Sequence, residues 1–414
     1  MTVAFTSRRV ALALPAALAL LLSQPAAAQA PVTTYLIPAL SDFTGPFATV
    51  MPALGGARES TLAWWNAEVG AKLGVKLNMK AYDTRFDAAQ TASLWPGILA
   101  EKPLVGFGVG GPDLAALQQR LPNDKVVIFS PSASNGFAWR PNQYYLSLRP
   151  TFVHEIVGFI DWFQKNRAGG KRPVKMALVT SEASPSYADM AKGVVAFAKA
   201  NPQTVELVEV VFTEVQPADL TLQMRRVTNA GAEVILAPAS LQQGIAVKRA
   251  LQALNKKVPV AFSMHNAPGF IAKPLGGLEL LEGDFEMQSG VIATTDEQNE
   301  PRKFYDMLVA KYGLKAPWHG ITSGGIAQSL ALVRAVEAAA KKNGPSALTG
   351  EMVYKAILEQ PITSASTFGY THDLSYGVGA PFPTYQVKVN VGEVKGGKVT
   401  NAVVGHAVPK LDRW

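Results

Sequence analysis

Short apolar runs alternate with longer segments of helical period along almost the whole chain, and this alternation constrains the fold more than any other feature. Strand-like runs fall at Thr33–Ile37, Val75–Tyr82, Leu104–Phe107, Val126–Phe129, Met176–Val179, Val205–Phe212, Val234–Ala237 and Val258–Phe262. Between them lie helix-like segments at Leu54–Val69, Phe86–Leu99, Asp113–Leu121, Phe152–Asn166, Tyr187–Ala200, Leu220–Ala230 and Leu241–Leu254. Short strands separated by helices of about ten or more residues build βαβ units and parallel sheets. Two runs of about four strands each predict two doubly wound α/β lobes rather than one sheet.

The break between them falls in "YYLSLRPTFVHEI", where Tyr144–Leu148 reads as a strand, Arg149-Pro150 stops it, and a helix begins. After Phe262 the order changes. "LELLEGDFEMQSGVIA" reads as one more strand, followed by long helices at Pro301–Tyr312 and Thr322–Lys342. The tail "PTYQVKVNVGEVKGGKVTNAV" alternates around Gly396-Gly397, a hairpin signal. The expected division is 31–148 with 291–372 in lobe one, and 151–288 with 373–414 in lobe two.

The first segment is read apart from the fold. "MTVAFTSRRVALALPAALALLLSQPAAAQA" carries Arg8 and Arg9, an apolar run from Val10 to Leu22, and then small residues. This is the pattern of a signal peptide, 1–28, with cleavage after Ala28. Cleavage after Ala30 would leave Pro31 at the new N-terminus. The run of about 13 apolar residues is short for a membrane span. The arginine pair leaves Sec and twin-arginine export both open. No second long apolar run follows and the chain has no cysteine, so disulfides, thiolate metal sites and a cysteine nucleophile are excluded. A soluble periplasmic protein is expected.

Of 39 basic residues, two belong to the leader, and the remainder exceed the 31 acidic residues by six. "NKKVP" and "AKKNGP" are isolated pairs at helix ends, where cations suit the dipole. No nucleic-acid partner is expected.

"PLVGFGVGGPDLAALQQRL" poses the main question of function. Gly106, Gly108 and Gly111 fit the dinucleotide fingerprint, but after the third strand rather than the first. Where an acidic residue should close the next strand stand Ser130 and Pro131. What remains is close backbone approach and a helix N-terminus that favours an anion. "FSPSASNG" places Ser130, Ser132 and Ser134 just past the neighbouring strand. Two small, polar loops at adjacent strand ends fit a ligand rim, or equally ordinary turns.

The order of these motifs resembles the type I periplasmic solute-binding proteins of ABC transporters, the leucine/isoleucine/valine-binding group. "LIPALSDFTGPFA" is similar to the family's opening strand and loop, "WWNAEVG" to its first helix end, and "LNMKAYDTRFDAAQTA" to the next strand and helix. "LVGFGVGGPD" and "VVIFSPSASN" match its ligand loops, and "LRPTFVHEI" its first crossover. The resemblance covers residues 33 to 400. It implies two lobes joined by a three-crossing hinge, a ligand held in the cleft, and a closed form recognised by an inner-membrane ABC permease. It implies a monomer with no cofactor and no catalysis. No G-x-S-x-G elbow, H-E-x-x-H motif or metal-spaced histidine pair stands against this.

The resemblance places Thr44 and Phe47 near the cleft and the carboxylate-binding loop on Gly110 and Gly111. Serines stand there in amino-acid-binding members, so backbone N–H groups or water must serve here. It adds Ser132 and Ser134 from the second loop, Tyr187 as the aromatic closing over the ligand, and Ser240 after a second-lobe strand. The acidic residue that meets an amino acid's ammonium falls on His265, or on Asn266 if the alignment slips. A desolvated ammonium needs a carboxylate, so the ligand is expected to lack one. A small carboxylate fits, with aromatic acids included; a branched-chain amino acid or amide receptor is the alternative. An exported sensor partner or enzyme is the remote reading.

Three further expectations concern neighbouring residues. Trp65 shares an apolar stripe with Leu54, Leu62 and Val69, which leaves Trp64 the more exposed. A cleft aromatic of the family falls near Trp318 and His319, and whether one of them lines the pocket stays open. Asp83 shapes a loop or caps the helix at Phe86 rather than binding metal.

Overall fold

The computed structural model describes residues 1–5, 32–134, 143–292, 295, 298–377, 387–411 and 413–414. The expected signal peptide therefore lies almost wholly outside the described residues. Among the described residues no helix is long and apolar enough to cross a membrane.

The first sheet is built from β1 (Thr33–Ser41), β2 (Val75–Asp83), β3 (Val105–Phe107), β4 (Val127–Ser134) and β5 (Tyr145–Thr151), in the order β2-β1-β3-β4-β5. Every pairing is parallel. Its connections carry α1 (Met51–Trp65), α2 (Ala71–Leu73), α3 (Ala88–Ala100), α4 (Gly111–Leu117) and α5 (Leu121–Asp124).

The chain then leaves through α6 (Phe152–Asn166) for a second sheet. There β6 (Val174–Thr180), β7 (Val205–Phe212), β8 (Val234–Leu236), β9 (Val260–Phe262) and β10 (Phe285–Gln288) alternate with α7 (Pro185–Ala200), α8 (Thr221–Asn229), α9 (Leu241–Ala253) and α10 (Pro268–Leu275). Three helices follow, α11 (Glu300–Tyr312), α12 (Gly320–Asn343) and α13 (Gly350–Glu359), and they pack in the first core. A final return adds the hairpin β11 (Lys388–Lys395) and β12 (Lys398–Ala407) antiparallel to β10. Gly396 and Gly397, at φ 60° and 69°, supply the left-handed turn that the hairpin needs.

Both sheets share one winding. Counting strands in chain order within each, the parallel parts read 2-1-3-4-5. In this arrangement a crevice opens at the strands' carboxyl ends, where the connections diverge to opposite faces. Parallel sheets must be covered on both faces, and the inner strands β3, β6, β8 and β9 are correspondingly apolar and almost wholly buried, while the outer β2 and β7 carry charged residues among the apolar ones. Phe129 in β4 and Met176 in β6 fall in separate sheets, as the alternation predicts.

Three local readings are corrected. Arg149-Pro150 does not stop the crossover strand; β5 runs on to Thr151. It is the edge strand of its sheet, so the missing proline N–H costs no ladder bond. The helix expected from Phe86 begins at Ala88, because Asp87 is its cap and accepts from the Gln90 N–H at 2.6 Å. Trp64 is the more exposed of the pair, as read, yet it is not at the surface: it is 9% exposed against 0% for Trp65, edge-on to Phe304 and Phe368. α1 is covered on that side as well as on the Trp65 side, where Trp65 Nε1 donates to Glu337 at 2.7 Å.

Candidate functional site

The two crevices face each other, and their walls line a shared cavity. The first-sheet wall begins with the loop after β1. Asp42 is fully buried and its two carboxylate oxygens accept from the Gly45 and Phe47 N–H groups at 2.6 and 2.7 Å. Asp83 accepts from Phe43 N–H and Thr44 Oγ1 at 2.9 and 2.7 Å. Asp83 thus shapes a loop, as expected. Thr44 is exposed on the loop's outer side, while Phe47 turns inward to line the cavity. Phe86 meets Phe47 with ring centroids 4.5 Å apart. Its backbone is left-handed, φ 52°, which turns the chain so that this ring joins the wall.

The glycines of the false fingerprint divide their work. A Cβ on Gly106 would stand 2.8 Å from the Pro38 carbonyl, and one on Gly108 2.7 Å from the Tyr145 hydroxyl. These two serve packing within the sheet. Gly110 is buried behind the cavity, and its carbonyl accepts from the Tyr145 hydroxyl at 2.9 Å. The N–H groups of Val109 and Gly110 donate to Asp113 Oδ2 at 2.7 and 3.4 Å, so both are occupied by a side chain of the protein itself. Gly111 and Ser132 line the cavity. Ser134 closes β4, opposite Thr151; its side chain lies outside the described residues.

The second-sheet wall comes from the N-terminus of α7 and the turn after β9: Ser184, Ser186, Tyr187, Met264 and His265. Ser184 Oγ and Ser186 Oγ are buried without hydrogen-bond partners. Tyr187 is 3% exposed and edge-on to Phe152. Asn266 does not reach the cavity wall. Its Nδ2 donates to the Ala237 and Ser240 carbonyls at 2.7 and 3.1 Å, and its Oδ1 accepts from the Ser263 N–H at 3.0 Å. Ser240 caps α9, accepting from Gln243 N–H while its hydroxyl donates to the Val215 carbonyl. These two residues hold the loops that carry the wall. Neither Trp318 nor His319 lines the cavity. His319 caps α12, and Trp318 packs on Tyr305.

The electrostatics are one-sided. Among the described residues no aspartate or glutamate lines the cavity. Burial, and then the nearby Arg149 guanidinium, push the His265 imidazole down to about 3, so it is neutral at physiological pH. A second, smaller chamber adjoins on the hinge side, sharing Pro131 and Met264 as walls. Arg149 lines it, and again no acidic side chain does.

Sequence reasoning missed Phe86, Ser184, Ser186, Met264 and Ile321 in the wall. Ser184 and Ser186 carried a signal, small polar residues flanking a proline at a helix start. A left-handed phenylalanine carries none.

Two sheets of one winding, with their strand ends turned to a shared, largely apolar cavity, define a two-lobed ligand-binding protein. The chain belongs to the periplasmic binding protein family, whose model matches residues 34–390. This is a family of solute-binding proteins, not of enzymes. Comparison with curated protein sequences gives no match. The fold is similar to that of a branched-chain amino acid ABC transporter protein from Thermus thermophilus with bound valine. That likeness has 18% identity, a TM-score of 0.76, and coverage of 92% of this chain and 97% of the other. A solute-binding protein from R. palustris in complex with benzoate is similar at 16% identity and a TM-score of 0.73, over 91% and 98% of the two chains. Another from R. palustris, in complex with 4-hydroxybenzoate, gives 16%, 0.70, and 92% and 99%.

Proposed function

We propose that this protein is the periplasmic substrate-binding component of an ABC importer, and that it captures a small carboxylate, aromatic acids included, between its lobes. The observation that carries the reading is an apolar cavity, with Phe47, Phe86 and Tyr187 in its wall and, among the described residues, no acidic side chain to receive an ammonium. An amino acid desolvated there would leave its ammonium unpaired beside Arg149, at a cost of several kcal/mol. A carboxylic acid with an apolar body meets no such cost. The fold's likeness to benzoate- and hydroxybenzoate-binding proteins agrees with this.

In this reading lobe one comprises 31–148 and 291–372, and lobe two 151–288 and 373–414. Phe47, Gly111, Ser132, Tyr187 and His265 touch the ligand, and Ser134 adds a hydroxyl. Thr44, Gly110, Ser240 and Asn266 act one layer behind by fixing the loops. The closed monomer delivers its ligand to an inner-membrane permease after export through the cleaved leader.

The test is a thermal-shift and calorimetry panel of benzoate, 4-hydroxybenzoate, leucine, isoleucine and valine. A ligand present at about 100 times its Kd adds about 2.7 kcal/mol of stability. The acids are expected to bind. Micromolar or tighter binding of a branched-chain amino acid, with none of the acids, would replace this reading by the amino-acid one.

A further inference from the structure

The hinge-side chamber holds polar groups that the fold does not use. Arg149 leaves β5 at the first crossing between the sheets, with its side chain 5% exposed. One edge of its guanidinium is taken by Glu155: Nε donates to Oε1 at 2.9 Å, and Nη2 donates to Oε2. Glu155 Oε1 also accepts from the Ser289 N–H at 2.8 Å, which ties the first crossing to the second. The other edge of Arg149 is not so engaged, and its Nη1 is buried without a partner. Ser289 Oγ is likewise buried and unpartnered. Both residues line the chamber, together with Ser323 and Gly324 of α12. They stand on one flank of that 24-residue helix, next to Ala327.

A guanidinium edge and a hydroxyl converge on a space with no acidic wall residue among the described residues, and both can donate to an anion. Among the described residues Pro131 and Met264 are common to this chamber and the apolar one. We propose that the hinge-side chamber is the acid subsite of the ligand cavity. There the free edge of Arg149 and Ser289 Oγ take the carboxylate of a ligand whose apolar body passes Pro131 and Met264 toward Phe47, Phe86 and Tyr187. This rests on the carboxylate reading above and assigns its charge recognition to the hinge rather than to the glycine loop, whose N–H groups at Val109 and Gly110 Asp113 already holds. Both ends of the Arg149–Glu155–Ser289 link lie at crossings, so a carboxylate seated there bridges the moving parts.

The experiment compares benzoate with its uncharged isostere benzamide by calorimetry, on the parent, on Ser289→Ala, and on Arg149→Gln/Glu155→Gln. The double variant removes both charges of the buried pair together, so that neither is stranded. The parent should prefer benzoate by about tenfold or more, Ser289→Ala should weaken benzoate about fivefold with benzamide unchanged, and the double variant should abolish the preference. An undiminished preference in both variants overturns the subsite. Should the double variant fail to fold, Ser289→Ala alone decides. If neither aromatic compound binds the parent, the reading of the ligand class fails, and formate decides the subsite. A rise in the parent's Tm with formate over equimolar chloride, lost in the variants, upholds it, and the same response in parent and variants overturns it.

Discussion

Gly111 and Ser186 meet across the cleft, one on each wall, so closely that a Cβ on Gly111 would stand 2.0 Å from Ser186 Oγ. The two lobes touch here through backbone and one hydroxyl, and this spacing sets how far the cleft can shut. Gly111→Ala should therefore hold the lobes apart and weaken benzoate binding about tenfold or more, roughly 1.4 kcal/mol of lost closure. Adding Ser186→Gly should restore most of it. Calorimetry on the two variants checks this; parent-like affinity in Gly111→Ala would show that closure tolerates the extra methyl.

Tyr187 belongs to the second core as much as to the cavity, since it is 3% exposed and packs on Phe152. Tyr187→Ala should lower stability by about 2–4 kcal/mol through the space it leaves, and should speed ligand dissociation. Tyr187→Phe keeps the ring and should be close to parent in stability. Urea midpoints together with stopped-flow dissociation rates separate the two effects; an alanine variant of unchanged stability would contradict the packing argument.

The acid limb of stability should have a histidine component. His265 is held down to about 3, and burial lowers His154 and His319 to about 4. Below pH 6.5 the unfolded chain takes up protons at these positions that the folded protein refuses. Stability therefore falls as pH is lowered from about 6.5 toward 4, by at most about 1.4 kcal/mol per pH unit for each histidine. His265→Asn should shallow this decline, and urea melts at pH 7, 6 and 5 measure it. An identical slope in the variant would mean that His265 is already protonated in the folded state.

Arg58 is a buried cation under the glycine loop. Its Nη2 donates to the Gly108 carbonyl at 2.8 Å and its Nε to Gln328 Oε1 at 2.9 Å, and it is 1% exposed. Burial lowers its pKa to about 9. Arg58→Ala strands Gln328 Oε1, leaves the Gly108 carbonyl with Gln328 Nε2 alone, and should cost about 3–5 kcal/mol. Arg58→Lys should recover only part of this, because an ammonium cannot span both acceptors as the planar fork does. Denaturation curves of the two variants provide the check.

The fold was legible wherever the period of apolar residues was long. Both sheets, the seven helices read between the strands and the Gly396-Gly397 hairpin follow from alternation alone. Among the described residues the short α2 and α5 went unread, and so did two longer helices. α10 hides between Pro268 and Pro274, and its "PGFIAKPL" looks like loop. α13, "GEMVYKAILE", did carry a cap in Thr349 and an apolar stripe through Val353 and Ile357. Most residues read from the sequence lie on loops that border the cavity, but rotation about those loops decides which side chain faces inward. Phe47 turns in and Thr44 out because Asp42 and Asp83 grip alternate backbone groups. His265 turns in while Asn266 ties the loop down, a choice made by carbonyls 26 and 29 residues away. Arg149 read as a strand stop, because its partners Glu155 and Ser289 assemble only once the lobes cross.

The late return of the chain to its first core has a kinetic consequence. Tyr35, in the first strand, donates to the Pro345 carbonyl 310 residues further on, and α12 and α13 supply much of the apolar cover of that sheet. The second sheet waits in the same way for Val389 and Val391 of the terminal hairpin. A chain emerging N-terminus first cannot finish either hydrophobic core until nearly its whole length is available. Contacts of such long sequence separation make folding slow. Nascent chain thus stays unfolded for longer than a protein built of consecutive domains would, and its assembly is nearly simultaneous across both halves once the last strands arrive.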